Sequence, residues 1–494
     1  MRNSINILLL LLLLIGSGNL FSQVTTFRHV YGGMGDDYGQ DIELTSDGGY
    51  IITGATGSFG YGQSDVYLLK IDSAGAYQWS RSYGGSNVDW GYDAEITSDG
   101  GYVIAGYTNS FGAGGYDFYL VRTDSVGDTL WTKTYGGWNW EHCYSMDITS
   151  DDGFVMVGET YSYGGGEKDV WIVKADEFGD TLWTKTFGGI LDDWAKGVEV
   201  TFDDDIIICG SSYTYSDGDS DGLLIKLDNL GATEWFINYG GTGKQEFENI
   251  TENNDTSGFA CIGMSDPSLN NSKMNLVKFD SQGALIWDKL IGLAQNTFGI
   301  SIEKNGSAVY AMVATNSNAS GNIQAAVIDT AGIWQIGNYS SIVGPLQEQA
   351  TDIIHVPGNG YAILGNTYSY GSGYSDVLLY KCNNGLATDT NIFITITDTS
   401  TVKYPIPYTG VDKNNKGNSI KIFPNPTSDN QITITSNEVI NRIQLINILG
   451  QSIPILVNEN ENIYIINPRI SISGVYFIEV STKERIVSKK IVFE

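Results

Sequence analysis

At a constant step of 52 residues, an acidic side chain stands directly before an aromatic or imidazole ring: Asp37-Tyr38, Asp89-Trp90, Glu141-His142 and Asp193-Trp194. A flat ring can stack on the apolar face of a sugar while a carboxylate takes its hydroxyls, and loops on a rigid scaffold commonly carry such sites. Trp138 and Trp140 break the pattern, because Ser86 and Val88 hold those places one step earlier. With His142 they are the members of the series that repetition explains least. The plainer alternative is that the repeated rings, together with Phe59, Phe111, Tyr163, Tyr215 and Tyr370, only staple one loop to the next. For those repeating positions the staple is favoured.

Other chemistry is sparse. Asp217-x-Asp219-x-Asp221-Gly222 resembles a calcium loop, which asks for oxygen at alternate positions. No acid closes the loop at the twelfth place, so a solvated acidic turn is the stronger reading; calcium remains the one cofactor suggested. Glu43, Glu95, Asp147 and Glu199 recur on one strand, and Lys70, Arg122, Lys174 and Lys226 on another. A carboxylate ring around a channel and a ladder of charge pairs both fit. The ladder is favoured, since a buried carboxylate needs a partner. Histidine occurs only at 29, 142 and 355, and neither a GxSxG, an HExxH nor a P-loop is present. Cys143, Cys209, Cys261 and Cys382 form no metal-binding spacing and read as buried free thiols.

The elements that must position these residues repeat as well. Tryptophans 79, 131, 183, 235 and 287 stand 52 residues apart, and Tyr-Gly-Gly at 31–33, 83–85 and 135–137 keeps the same step. A fixed period of this size marks a repeat architecture. Within 91–137, four short runs rich in Val, Ile, Tyr and Thr are bounded by Gly, Asp, Ser or Asn, which reads as four strands. Four-stranded repeats are the blades of a β-propeller. Seven units begin at Tyr31, Tyr83, Tyr135, Phe187, Tyr239, near Leu290 and at Tyr339, the sixth degenerate. The seventh lacks a fourth strand, and Val24 to Val30 matches one, so the N-terminal strand should close the ring. The fold class is therefore all-β, a seven-bladed propeller over 23–383.

The turn D-x-x-G-x-x-x-W (Asp72, Gly75, Trp79 and their repeats) resembles the tryptophan-docking hairpin of quinoprotein-like propellers. That resemblance implies a docking role for the ring and no quinone. At the N-terminus, Arg2 followed by the apolar run Ile7 to Ile15 and a small, polar stretch to Ser22 reads as a signal peptide, 1–22. The net charge is −30, carried wholly by the first 418 residues, which argues against nucleic acid or anionic membrane as partner. No other run is apolar enough to span a bilayer.

After a polar linker, 384–418, come Ile422-Phe423-Pro424-Asn425-Pro426, Ile448-Leu449-Gly450 and Ser473-Gly474-Val475-Tyr476. In this order the segments resemble the type A sorting domain of the type IX secretion system of Bacteroidetes, over 419–494. Alternating strands there suit a small β-sandwich. The resemblance implies passage through the type IX machinery, then release or display at the outer-membrane surface. The expectation is an exported, non-catalytic propeller for binding or adhesion, its partner a polysaccharide or cell-surface protein. Alternatives are a carbohydrate-active hydrolase or lyase using the loop-face carboxylates, and a surface-layer component.

Overall fold

The computed structural model describes residues 26–216 and 219–386, apart from 254–256, 267–271, 292–295, 306–308, 317–320, 359 and 385. Beyond these it describes the strands 394–395, 420–423, 432–436, 442–447, 452–453, 455–460, 463–468, 474–481 and 486–493, with Ile440 and Pro454. The expected signal peptide, nearly all of the linker, Asp217, and the tail residues Pro424, Asn425, Pro426 and Gly450 lie outside the described residues; Gly474 opens a strand.

Seven antiparallel sheets form the blades, each meandering outward from an innermost strand. In blade three the order is Glu141–Ile148, Phe154–Thr160, Asp169–Ala175 and Thr181–Phe187. The middle strands are buried throughout, as expected of apolar runs covered on both faces. The core lies between blades: Ile51, Val66 and Leu68 of the first pack against Ala94, Ile104, Tyr119 and Val121 of the second. All four cysteines are buried and free. The sixth blade, despite its irregular sequence, has four strands like the rest.

Ring closure follows the expected route: residues 24 and 25 of the expected strand lie outside the described residues, and the described strand runs Phe27–Tyr31. It pairs antiparallel with Asp376–Cys382, Phe27 opposite Lys381 and Tyr31 opposite Val377. A short strand, Ile394–Thr395, then covers its outer edge, which would otherwise be open to another chain.

The repeated residues are the couplings between blades. Gly127, in the left-handed region at φ +79°, leaves space where a Cβ would sit 2.9 Å from the Trp79 ring of the previous blade. Its carbonyl accepts the Tyr83 hydroxyl at 2.8 Å. Tyr135 to Gly179 repeats the contact one blade on, and Tyr31 to Gly75 makes it across the closure, both at 2.7 Å. The D-x-x-G-x-x-x-W and Tyr-Gly-Gly signatures are therefore two halves of one joint.

In the C-terminal part, two four-stranded antiparallel sheets share a core of Ile432, Ile434, Leu445, Tyr464, Ile466, Ile478 and Val480.

Candidate functional site at the channel mouth

The innermost strands line a central channel, and each carries a register shift near its start, between Gly91 and Asp93 in blade two and Cys143 and Ser145 in blade three. Such a bulge re-aims the side chains around it. Below it, the wall carries two rungs of acids. Asp41, Asp93 and Asp352 form one, and Glu43, Glu95, Asp147, Glu199 and Glu303 the other, around a cavity of about 210 Å³ lined by no Lys or Arg.

This overturns the expected charge ladder. Lys70, Arg122, Lys174 and Lys226 turn away from the channel to the aspartates of the hairpin turns: Lys70 to Asp47 at 3.0 Å, Arg122 to Asp99 at 2.6 Å, Lys174 to Asp151 at 3.1 Å and Lys226 to Asp205 at 2.6 Å. The channel acids meet one another instead. Burial first, then mutual repulsion, pushes Glu43 up to about 8, and burial leads in Glu199 at about 8, Asp93 and Glu303 at about 7 and Asp147 at about 6. Several also accept a backbone N–H of the next blade: Asp41 from Ala94 at 3.0 Å, Asp93 from Met146 at 2.8 Å, and Asp352 from Ile42 at 3.3 Å across the closure. Among the described residues no group of His, Cys, Asp or Glu is placed to hold a metal ion. Asp219 is described without its expected neighbour Asp217, and Asp221 accepts Asn238 Nδ2 at 2.8 Å.

Above the bulge the wall is aromatic. Tyr38 and Trp90, from adjacent blades, have ring centroids 5.0 Å apart, and Tyr92 and Tyr144 meet edge to face at 5.2 Å. His142 lies 4.8 Å from Tyr107 and 5.1 Å from Tyr116, and Trp140 borders Tyr116 at 6.2 Å. Trp194 carries the Lys168 ammonium 4.3 Å from its centroid. The indole N–H of Trp90 is buried without an acceptor.

The acids beside these rings do not belong to the mouth, which corrects their assignment as ligand-binding groups. Asp37, Asp89, Glu141 and Asp193 are fully buried. Asp89 accepts Thr108 Oγ1, Ser110 Oγ at 2.6 Å and Gly85 N at 2.7 Å, Asp37 and Asp193 take the equivalent bonds, and Glu141 accepts Thr160 Oγ1 at 2.9 Å, Gly137 N at 2.7 Å and Ser162 N at 3.2 Å. They hold the loops in shape. Tyr163 and Tyr215 do likewise, donating to Gly136 and Gly188 carbonyls at 3.1 and 3.0 Å, so the staple reading holds for them. Trp138 is 77% exposed and makes no contact with the aromatic group, whereas Trp140 joins it.

A polar cluster sits within this wall. Glu159, buried on the second strand of blade three, stands 3.1 Å from His142 Nδ1 through Oε1 and 2.9 Å from Lys168 Nζ through Oε2. Burial pushes its carboxyl up, but the His142 hydrogen bond and the Lys168 charge outweigh that and bring it down to about 2. An ionised carboxylate only accepts, so Nδ1 carries a proton and Nε2 is the ring nitrogen left for another partner. Lys196 lies 3.7 Å from the centre of the Tyr144 ring. Glu159, Lys168 and Lys196 were not picked out in the sequence, although the repeat marks them. Ala55, Tyr107 and Ser211 stand where Glu159 does, Ser64, Tyr116 and Ser220 where Lys168 does, and Gln40, Tyr92, Tyr144 and Glu248 where Lys196 does.

The architecture is thus a β-propeller whose aromatic mouth opens over an acid-lined channel, followed by a small β domain. Residues 421–494 match the family model described as secretion system C-terminal sorting domain. The chain is accordingly addressed for export, to the cell surface or beyond it, through the type IX machinery. No helix among the described residues is long and apolar enough to cross a membrane. Over 110 residues, 20% of this chain, the sequence is 32% identical to the regulatory protein FlaEY of Caulobacter vibrioides, of whose length it spans 11%. Among solved structures, it is similar to the WD40 domain of Neurospora crassa Pan2 (TM-score 0.39, 12% identity, 70% of this chain and 89% of that one). It is also similar to a polysaccharide lyase, an ulvan lyase bound to an oligosaccharide (TM-score 0.46, 9% identity, 71% and 96%). Likeness this distant says nothing of ligand or activity.

Proposed function

We propose that the protein is an exported glycan-binding propeller, released or displayed at the surface of a Bacteroidetes cell, with its ligand seated on the channel mouth. The observation that carries this is the continuous set of half-buried rings from Tyr38 and Trp90 through Tyr92, Tyr107 and Tyr116 to Trp140 and His142. Rings that only filled space would be covered; these keep part of their surface exposed. Their flat faces suit pyranose rings, and Glu159, Lys168, Lys196 and the tyrosine hydroxyls supply hydrogen bonds of both senses. Binding to polysaccharide serves adhesion or capture outside the cell equally well.

The test is affinity electrophoresis of the whole chain in gels carrying a panel of polysaccharides, with and without calcium. Retardation by a polymer, lost in Trp140→Ala, supports the reading. Mobility unchanged by every polymer would reduce the rings to wall packing and turn attention to protein partners.

A further inference from the structure

We propose that the mouth is also catalytic: His142 Nε2 takes the proton from the carbon next to the carboxylate of a uronate residue, and the chain is cleaved by elimination. The inference rests on the glycan-binding reading and adds a substrate class and a reaction to it.

Three observations carry it. Glu159 is an acid at a place where other blades have Ala55, Tyr107 and Ser211, so the blade itself has no need of it. A buried carboxylate is costly unless its lone pairs are used, and here they fix an imidazole and an ammonium. The second observation is the imidazole itself. Held through Nδ1 with its side chain still 17% exposed, it has the arrangement of a positioned general base. The third is the cation beyond it. The Tyr144 ring stacks with His142 at 6.2 Å and carries the Lys196 ammonium at 3.7 Å. Lys168 is committed to Glu159, whereas Lys196 holds only this ring, with Glu248 acting on it through space.

The chemistry balances on these groups alone. Removing the C5 proton of a uronate builds a second negative charge on its carboxylate, which the Lys196 ammonium offsets. The electron pair left on C5 forms the C4=C5 double bond, and the C4–O glycosidic bond breaks. The oxygen leaves on the neighbouring sugar and takes the proton back from the imidazolium. Nothing is oxidised or reduced. The products are an unsaturated uronate end and a new reducing end. Glu159 is a positioning residue here, while His142 and Lys196 touch the substrate. The carboxylates expected to serve a hydrolase, Asp89 and Asp193, are consumed by loop hydrogen bonds, so the base comes from the imidazole instead.

The experiment uses the whole chain with polygalacturonate, alginate and glucuronan, and a neutral β-glucan as control. It reads the ultraviolet absorbance of the conjugated product alongside gel retardation. Product from a polyuronate is expected, with the rate falling about 10²–10⁴-fold in His142→Ala while retardation persists. Glu159→Gln should lower kcat and leave KM nearly unchanged, and Lys196→Met should lower kcat and weaken retention by polyuronates while leaving that by the neutral glucan unchanged. Retardation without product from any polyuronate overturns the catalytic inference and leaves the binding reading standing. Product formation that survives in His142→Ala overturns the assignment of the base. Neither binding nor product overturns both.

Discussion

Lys70 Nζ lies 3.0 Å from Asp47 Oδ2, at the tip of the hairpin turn twenty-three residues before it, and not against Glu43 in the channel wall. The same partnership recurs in Arg122–Asp99 and Lys174–Asp151. The repeated cations therefore tie down the Ser-Asp-Gly-Gly turns, and the repeated acids of the innermost strands are left to themselves.

Removing the turn carboxylate tests that assignment. Lys70 is 5% exposed, so Asp47→Ala leaves a nearly buried ammonium with only the Ile71 carbonyl, at 3.1 Å, and loses the Asp47 bonds to Thr45 and Gly49. A loss of roughly 1–3 kcal/mol is expected from chemical denaturation. Glu43→Gln, by contrast, should not destabilise through Lys70 at all.

The channel acids set a pH dependence of definite sign. Glu43 and Glu199 at about 8, and Asp93 and Glu303 at about 7, bind protons in the folded state that the unfolded chain has released by about pH 5. Stability is then fully present below the unfolded values near 4 and is lost as pH rises through 6 to 8. The urea midpoint should fall between pH 5 and pH 8.5, and Glu43→Gln with Glu199→Gln should flatten the slope. A midpoint that climbs over this range would show the acids ionised and compensated in the fold. The Asp47 and Asp99 carboxylates, drawn down to about 2 chiefly by Thr45 and Thr97, act in a separate window below pH 4.

Trp138 and Trp140 separate a surface ring from a site ring. Trp140 lies edge-on to Tyr116 and Tyr161, and Trp138 touches neither. Titration calorimetry with a bound polysaccharide should show Trp140→Ala and Trp90→Ala losing about tenfold or more in affinity, about 1.4 kcal/mol. Trp138→Ala should stay within about twofold.

Asp89→Ala should unfold before it fails to bind. The substitution strips acceptors from Thr108, Ser110 and Gly85 in a fully buried loop base. Roughly 2–4 kcal/mol of stability should go, read as a fall in thermal midpoint. Ligand affinity measured well below that midpoint should be unchanged. Weakened binding at full stability would return Asp89 to the mouth.

What could be read beforehand was what is local and repeated. The 52-residue period, the four strand-sized runs of each unit and the orphaned strand read at Val24 to Val30 determined a seven-bladed ring closed by its first strand, since each depends on pattern along the chain. The ordered segments after Ile422 determined the export address in the same way. The partners of the charges were a different matter. Lys70 sits as readily beside a strand acid as beside a turn acid in any one-dimensional view, and only side-chain direction chose Asp47. Asp89 beside Trp90 looked like one site, yet strand alternation buries the first and turns the second to the channel. His142, Glu159 and Lys168 come from an inner strand, its neighbour and the loop beyond, and packing alone brings them within 3.1 Å. Repetition along the chain determined the frame; the few positions that depart from it acquired their chemistry only where the blades met in space.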